Sequence, residues 1–214
     1  DVSDVYFGTT VSDPYRWLED DRSKETADWV QTQNKITRSV LDTLPLRDSV
    51  LAAMKAAWNY LQYSVPFRSG SNYFYFRRDV SQNQPMLFYM KSLEYVPMSY
   101  FDPNKITAEG TTSVSQAVPN HEGTFIAFMM SEAGSDWNSV RIKETKTMRT
   151  LPEIMVGIKF SQIAWWKEGF FYSRYPEPAK GQELSGNNQY HSVYYHQLGD
   201  DQSKDKLIYE DRKN

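Results

Sequence analysis

The spacing of apolar residues changes from a helical period to a strand period near residue 65. Residues 23–44 carry a partial apolar stripe, and residues 46–61 carry a cleaner one. Apolar positions that recur three and four residues apart lie on one face of an α-helix. The pattern therefore predicts two helices, with Ser23 as the N-cap of the first and the second stripe packed in a core. The second stripe consists of Val50, Leu51, Met54, Ala57, Trp58 and Leu61.

Beyond residue 65 the apolar and aromatic residues alternate with polar ones, which predicts short β-strands. Gly70, Gly123 and Gly169 each precede a run of aromatic or other apolar residues, at spacings of 53 and 46 residues. A weak repeat of about 40–50 residues with several short strands is typical of a β-propeller blade. The sequence thus predicts a mostly β protein with three blades after a helical start. The predicted blades cover residues 65–112, 113–155 and 156–214.

The number of predicted blades bears on how the chain is organised. Three blades do not close a propeller, because known wheels have at least about four. We therefore expect this chain to be part of a longer protein. The expected division is an N-terminal helical segment over residues 1–64 and an incomplete propeller over residues 65–214.

Composition narrows the class of protein. The 214 residues carry a net charge of −3 and are 40% hydrophobic, which suits globular domains and provides no basic surface for nucleic acid. No run of about 18 apolar residues is present, so we expect no membrane partner. The absence of cysteine excludes disulfides and thiolate metal sites, and it leaves both the cytoplasm and the periplasm open as the compartment.

The chain lacks the motifs of nucleophilic and nucleotide chemistry. No two glycines are four residues apart, so a G-x-S-x-G nucleophile elbow is absent. Dinucleotide and P-loop glycine spacings are absent as well. His191 and His196 are five residues apart on a predicted strand, which aims them at opposite faces and makes them a poor metal pair. We expect each histidine, His121 included, to be a surface or partly buried residue, and we expect no cofactor.

Several motifs occur in an order that resembles the prolyl oligopeptidase family of serine peptidases. DPYRWLED at residues 13–20 comes first, and taken alone it predicts only a proline-initiated turn before a helix. FDPN at 101–104, GSDW at 134–137, KFS at 159–161 and YYHQLG at 194–199 follow. The first motif favours the prolyl branch of the family, and together the motifs extend over most of the chain.

The resemblance implies an α/β-hydrolase domain capped by a seven-bladed propeller. Residues 1–64 would pack with the hydrolase domain, and residues 65–214 would form the first three blades. The catalytic serine, aspartate and histidine would lie in a C-terminal part outside this chain, which makes the chain alone inactive. The implied reaction is hydrolysis of short peptides after proline, through serine attack and oxyanion stabilisation. The implied partners are a proline-containing oligopeptide and the C-terminal part of the same protein.

The resemblance also carries two substrate-binding positions into this chain. Phe160 of KFS matches an aromatic residue that lines the pocket near the residue before proline, where a ring buries a large apolar face. The alternative role of Phe160 is packing in a blade core. Asp136 of GSDW matches an acid that influences the electrostatics around the active site, and its alternative role is to cap a turn.

Three functional hypotheses account for these features. The first is the N-terminal part of a prolyl oligopeptidase, the second is a stand-alone propeller-like binding module, and the third is an inactive relative of the family. A longer reading frame with G-x-S-x-G after further blades would favour the first hypothesis. A native stop after residue 214 would favour the second.

Overall fold

The helices and the sheets of the chain fall into two separate units. The computed structural model describes residues 2–80, 82–176 and 188–212. Residues 2–58 form the first unit, and the described residues from 59 onward form the second. Both long helices lie in the first unit, whereas the second consists largely of strands, which confirms the predicted mostly β composition.

The first unit contains a hairpin and two helices. Ser23 caps the first helix as predicted, because its side chain accepts a hydrogen bond from the backbone N–H of Thr26. Neither helix is long and apolar enough to cross a membrane, and the same holds for every helix in the described ranges. The bounds are β1 Val2–Tyr6, β2 Thr9–Asp13, α1 Lys24–Leu41 and α2 Arg47–Trp58, with a 3-10 turn at Arg16–Glu19.

The apolar stripe of α2 is exposed, and the expectation that it packs in a core is wrong for the described structure. The side chains of Val50, Met54 and Trp58 all face solvent. Val50 and Met54 border an apolar groove of about 700 Å³ that also includes Leu44 and Leu46. Helical periodicity predicted the helix correctly, but burial depends on a covering element, which periodicity does not report.

The second unit consists of three antiparallel sheets. The first sheet contains β3 Gln62–Tyr63, β4 Phe67–Ser69, β5 Asn72–Arg78, β6 Met86–Met90 and β7 Met98–Phe101. The second contains β8 Ser113–Pro119, β9 Phe125–Ser131, β10 Asn138–Glu144 and β11 Thr150–Ile158. The third contains β12 Ala164–Trp166, β13 Gly169–Arg174, β14 Ser192–Gln197 and β15 Lys206–Glu210. The described helices of this unit are 3-10 turns at Pro103–Lys105 and Gln202–Lys204.

Two cores lie between neighbouring sheets, and β9 contributes to both. Phe128 and Met130 pack in a cluster with residues of the first sheet. Ala127 and Met129 pack in a second cluster that reaches Phe170 of the third sheet. Successive side chains of a strand point to opposite faces, so the continuous apolar run of β9 is buried on both sides.

Two of the recurring glycines mark a backbone contact between neighbouring sheets. Gly70 and Gly123 have φ values of +56° and +69°, a conformation that is open mainly to glycine. A Cβ atom on Gly70 would lie 2.1 Å from the carbonyl oxygen of Glu122, and one on Gly123 would lie 2.4 Å from that of Ser69. The turn before β5 and the turn before β9 therefore touch backbone to backbone.

Candidate functional site

Asp136 and Phe160 lie on two connections that meet at one end of the second sheet. Asp136 belongs to the connection between β9 and β10, and Phe160 belongs to the connection from β11 to β12. Asn138 at the start of β10 pairs with Ile158 at the end of β11. The two connections therefore leave the sheet side by side.

Lys159 brings the two connections into contact. Its Nζ lies 3.7 Å from Oδ2 of Asp136. The same ammonium lies 5.1 Å from the ring centroid of Trp137 and 5.3 Å from that of Phe160. The Lys159 side chain is 12% exposed and that of Asp136 is 69% exposed. A cation between two aromatic rings and one carboxylate is held by both cation–π attraction and charge pairing, and we name these four residues the aromatic platform.

Phe160 is presented to solvent by a strained backbone. Its side chain is 67% exposed, and its φ is +53°. A left-handed conformation costs a residue with a side chain about 1 kcal/mol, so it persists only where the surroundings impose it. The exposure of the ring disagrees with a role in a core of the described structure.

Neighbouring strands hold the part of the connection that directly follows Phe160. Gln116 of β8 donates from Nε2 to the carbonyl oxygen of Ser161 at 3.0 Å, and its Oε1 accepts from the N–H of Ile163 at 3.3 Å. The Ser161 hydroxyl oxygen accepts from the N–H of Ser173 at 2.8 Å. These bonds tie the connection to both the second and the third sheet, which explains how the strained conformation of Phe160 is maintained.

Sequence reasoning missed two members of the aromatic platform. Lys159 and Trp137 each stand beside a residue that was singled out, inside the KFS and GSDW motifs. Their part in the site depends on a contact between two connections that are distant in the sequence. Adjacency to Phe160 and Asp136 within the motifs was the available signal.

His196 is fully buried, so the expectation of a surface or partly buried residue is wrong for it. Its side chain is 0% exposed, and Nδ1 lies 2.7 Å from Oδ1 of Asp205. The Tyr172 hydroxyl donates to the other oxygen of Asp205 at 2.6 Å. Burial, reinforced by the bond to Asp205, raises the pKa of Tyr172. These side chains form a buried polar network within the third sheet. In the described ranges, no group of three or more His, Cys, Asp or Glu side chains could hold a metal ion.

Comparison with known proteins finds relatives along the whole chain. Residues 1–214 match the family model described as "Prolyl oligopeptidase, N-terminal beta-propeller domain". The prolyl endopeptidase of Elizabethkingia meningoseptica is 44% identical over 96% of this chain. Prolyl oligopeptidase A of Amanita bisporigera is 31% identical over 95% of it. The chain spans only 29% and 30% of the lengths of these two relatives.

Solved structures share the fold. One, from a study of two prolyl endopeptidases and the role of their inter-domain dynamics, has a TM-score of 0.85 at 26% identity and covers 98% of this chain. Another is prolyl oligopeptidase B of Galerina marginata bound to a 35mer hydrolysis and macrocyclization substrate, with a TM-score of 0.79 at 26% identity and 99% coverage. The chain accounts for 31% and 33% of those two solved chains.

Proposed function

This chain belongs to the prolyl oligopeptidase family, and we propose that it is the N-terminal part of a serine endopeptidase that cleaves short peptides on the carboxyl side of proline. The three sheets of the second unit are the first three blades of a seven-bladed propeller in this proposal. Residues 1–64 pack with a hydrolase domain that supplies the catalytic serine, aspartate and histidine. The short span of this chain relative to its relatives supports a further, C-terminal part.

The exposed apolar face of α2 supports the proposed contact between residues 1–64 and a hydrolase domain. Its groove of about 700 Å³ is lined almost wholly by apolar side chains. A continuous apolar surface of this kind is costly in water and is typical of a contact with another protein element. The hydrolase domain is the element that would cover it, because the helices precede the propeller in the chain and the catalytic part follows it.

The aromatic platform is the observation on which the proposed substrate role rests. Phe160 offers an exposed ring, and hydrogen bonds hold the backbone that directly follows it. Such a ring can bury a large apolar face against proline or the residue before it. Lys159 and Asp136 compensate each other's charge next to the ring. The platform therefore favours an apolar, uncharged stretch of peptide over one that carries an unpaired charge.

Contacts on this platform would act on rate as well as on binding. In the proposal, serine attacks the carbonyl group of proline and creates an oxyanion in the hydrolase domain. No residue of this chain takes part in that step. Binding energy from residues remote from the scissile bond can be used to orient that bond in the transition state. The proposal thus assigns Phe160 and Asp136 a substrate-positioning role, and it assigns the catalytic roles to residues outside this chain.

Separating the two parts of the protein tests the proposal. Purified residues 1–214 are expected not to cleave a chromogenic substrate that carries proline before the scissile bond. Addition of the separately produced C-terminal part is expected to restore cleavage, and a serine-directed phosphonylating reagent is expected to label that part alone. Labelling of a serine within residues 1–214, with loss of activity, contradicts the proposal. A complete protein without cleavage activity would indicate an inactive relative instead.

A further inference from the structure

A separate cavity lies between β7 with the turn that follows it and strands β9 to β11 of the second sheet. Its volume is about 400 Å³, which falls within the range of small-molecule pockets, about 300–1,000 Å³. Lys143 pairs with Thr150 near the β10–β11 turn, at the end of the second sheet opposite the aromatic platform. Apolar side chains of Phe101, Ile106 and Phe128 line the cavity together with Arg141, Lys143 and Thr150. Ile142 also borders it, but the Ile142 side chain packs in the core towards the third sheet.

Lys143 is a partly buried cation without a carboxylate partner in the described part of the chain. Its Nζ donates to the carbonyl oxygen of Tyr100 at 2.5 Å. The ammonium also lies 4.9 Å from the ring centroid of Tyr100 and 5.9 Å from that of Phe101. Burial lowers the pKa of Lys143. A buried charge without a counter-ion is unfavourable, so an anion that approached Lys143 would relieve part of that cost.

Arg141 adds a second positive charge to the same cavity. It precedes Lys143 by two residues on β10, and residues two apart on a strand share a face. The Arg141 side chain is exposed, and no ion pair joins it to a carboxylate within the ranges described. The cavity therefore combines two cations that lack a carboxylate partner among the described residues with three apolar side chains, those of Phe101, Ile106 and Phe128. A cationic ligand would be repelled there, and an uncharged one would leave both charges unbalanced.

We propose that this cavity binds a small monocarboxylate with an apolar body, such as a medium-chain alkyl acid or an aryl-substituted short acid. The carboxylate lies between Arg141 and Lys143, and the apolar body packs against Phe101 and Ile106. Charge-assisted hydrogen bonds orient the head group, and burial of apolar surface holds the body. This inference is independent of the proposed peptidase activity, because it uses none of the residues of the aromatic platform.

Calorimetric titration of the complete protein that carries this chain tests the chemistry of the ligand. Octanoate and 3-phenylpropionate are the acidic probes, and octanol and octylamine are the neutral and cationic controls. Saturable binding of at least one acid is expected, with octanol weaker by about tenfold because it lacks the charged hydrogen bonds. Octylamine is expected not to bind at the site. Equal affinities for octanoate and octanol, or no binding of either acid, would overturn the proposal.

Matched variants test the location of the site. Lys143→Met is expected to weaken binding of the preferred acid by about tenfold, whereas Lys146→Met, which changes an exposed lysine in the following turn, is expected to leave it unchanged. Phe160→Ala is also expected to leave it unchanged. Equal effects of Lys143→Met and Lys146→Met, or loss of binding in Phe160→Ala, would overturn the assignment.

A surface variant keeps the test decisive if Lys143→Met does not fold. Ile106 is exposed at the mouth of the cavity, so Ile106→Glu introduces a negative charge there without opening a core. This variant is expected to weaken binding of the acids more than that of octanol, because like charges repel at short range. Unchanged binding of the acids in folded Ile106→Glu would overturn the proposal.

Discussion

Tyr100 and Lys143 exchange hydrogen bonds across the contact between the first two sheets. The Tyr100 hydroxyl donates to the carbonyl oxygen of Lys143 at 3.1 Å, and Lys143 Nζ donates to the carbonyl oxygen of Tyr100 at 2.5 Å. The Tyr100 ring is buried in the apolar cluster between these sheets. This reciprocal pair joins β7 to β10 through polar bonds at the border of an apolar core.

Tyr100→Phe is expected to lower the free energy of unfolding by about 1–2 kcal/mol, because it removes one hydrogen bond and leaves a carbonyl group with fewer partners. Urea unfolding measures the loss. Tyr95→Phe removes the same hydroxyl from an exposed ring and is expected to change stability by less than about 0.5 kcal/mol. Equal losses in the two variants would show that the Tyr100 bond adds nothing to the contact between the sheets.

Gly123→Ala is expected to destabilise the protein by about 3 kcal/mol or more, since its Cβ would overlap the backbone of Ser69. Gly134→Ala is the matched control. Gly134 also has a positive φ, of +77°, but a Cβ there meets no atom within 4 Å. The free energy of unfolding of Gly134→Ala should therefore fall by only about 1 kcal/mol, the cost of the left-handed conformation for a residue with a side chain. Thermal unfolding that gives the same loss for both variants contradicts the backbone contact between the two turns.

Tyr172→Phe is expected to flatten the loss of stability at alkaline pH. Burial raises the pKa of Tyr172 in the fold. The contribution of Tyr172 ionisation to the free energy of unfolding is therefore unchanged below the unfolded-state pKa of about 10. Above that pH the contribution falls, because Tyr172 ionises in the unfolded chain while it stays neutral in the folded one. Between about pH 10 and 12 the free energy of unfolding of the variant should fall by up to about 1.4 kcal/mol less per pH unit than that of the wild type. Urea unfolding at a series of pH values measures both slopes.

A control variant separates this effect from general alkaline unfolding. Tyr95→Phe removes an exposed phenol and is expected to keep the wild-type slope. If Tyr172→Phe and wild type decline in parallel, the Tyr172 phenol is not held neutral by the fold.

Phe160→Ala is expected to lower kcat/KM of the complete protein toward proline-containing peptides and to leave Tm unchanged. The expected decrease in kcat/KM corresponds to a loss of about 1–3 kcal/mol of transition-state binding. In the proposed role, loss of the ring removes contact with substrate, and because the ring is exposed it removes little packing. Tyr95→Ala, at another exposed ring, should leave kcat/KM unaltered. An unchanged kcat/KM together with a lowered Tm would assign Phe160 a structural role instead.

Local features of the sequence predicted those parts of the fold that depend on near neighbours. The Ser23 cap, the helix at α2 and the strand at β6 all follow from interactions within a few residues. The exposure of the α2 stripe could not be predicted from the sequence. Helical periodicity indicates that the helix has an apolar face, but it does not indicate whether the element that covers this face belongs to the same unit. The burial of His196 was missed because its partner, Asp205, comes from the next strand connection.

The sequence by itself determined the mostly β composition and, through the order of its motifs, the family. The tertiary structure alone decided which side chains meet. Tyr100 and Lys143 are 43 residues apart in the chain, and Lys159 contacts Asp136 from a different connection of the same sheet. Such contacts depend on how strands pair and how sheets stack, and residues that are distant in sequence carry no local signal of that packing. The meeting of two connections created the aromatic platform, and the contact between β7 and β10 created one wall of the cavity that contains Arg141 and Lys143.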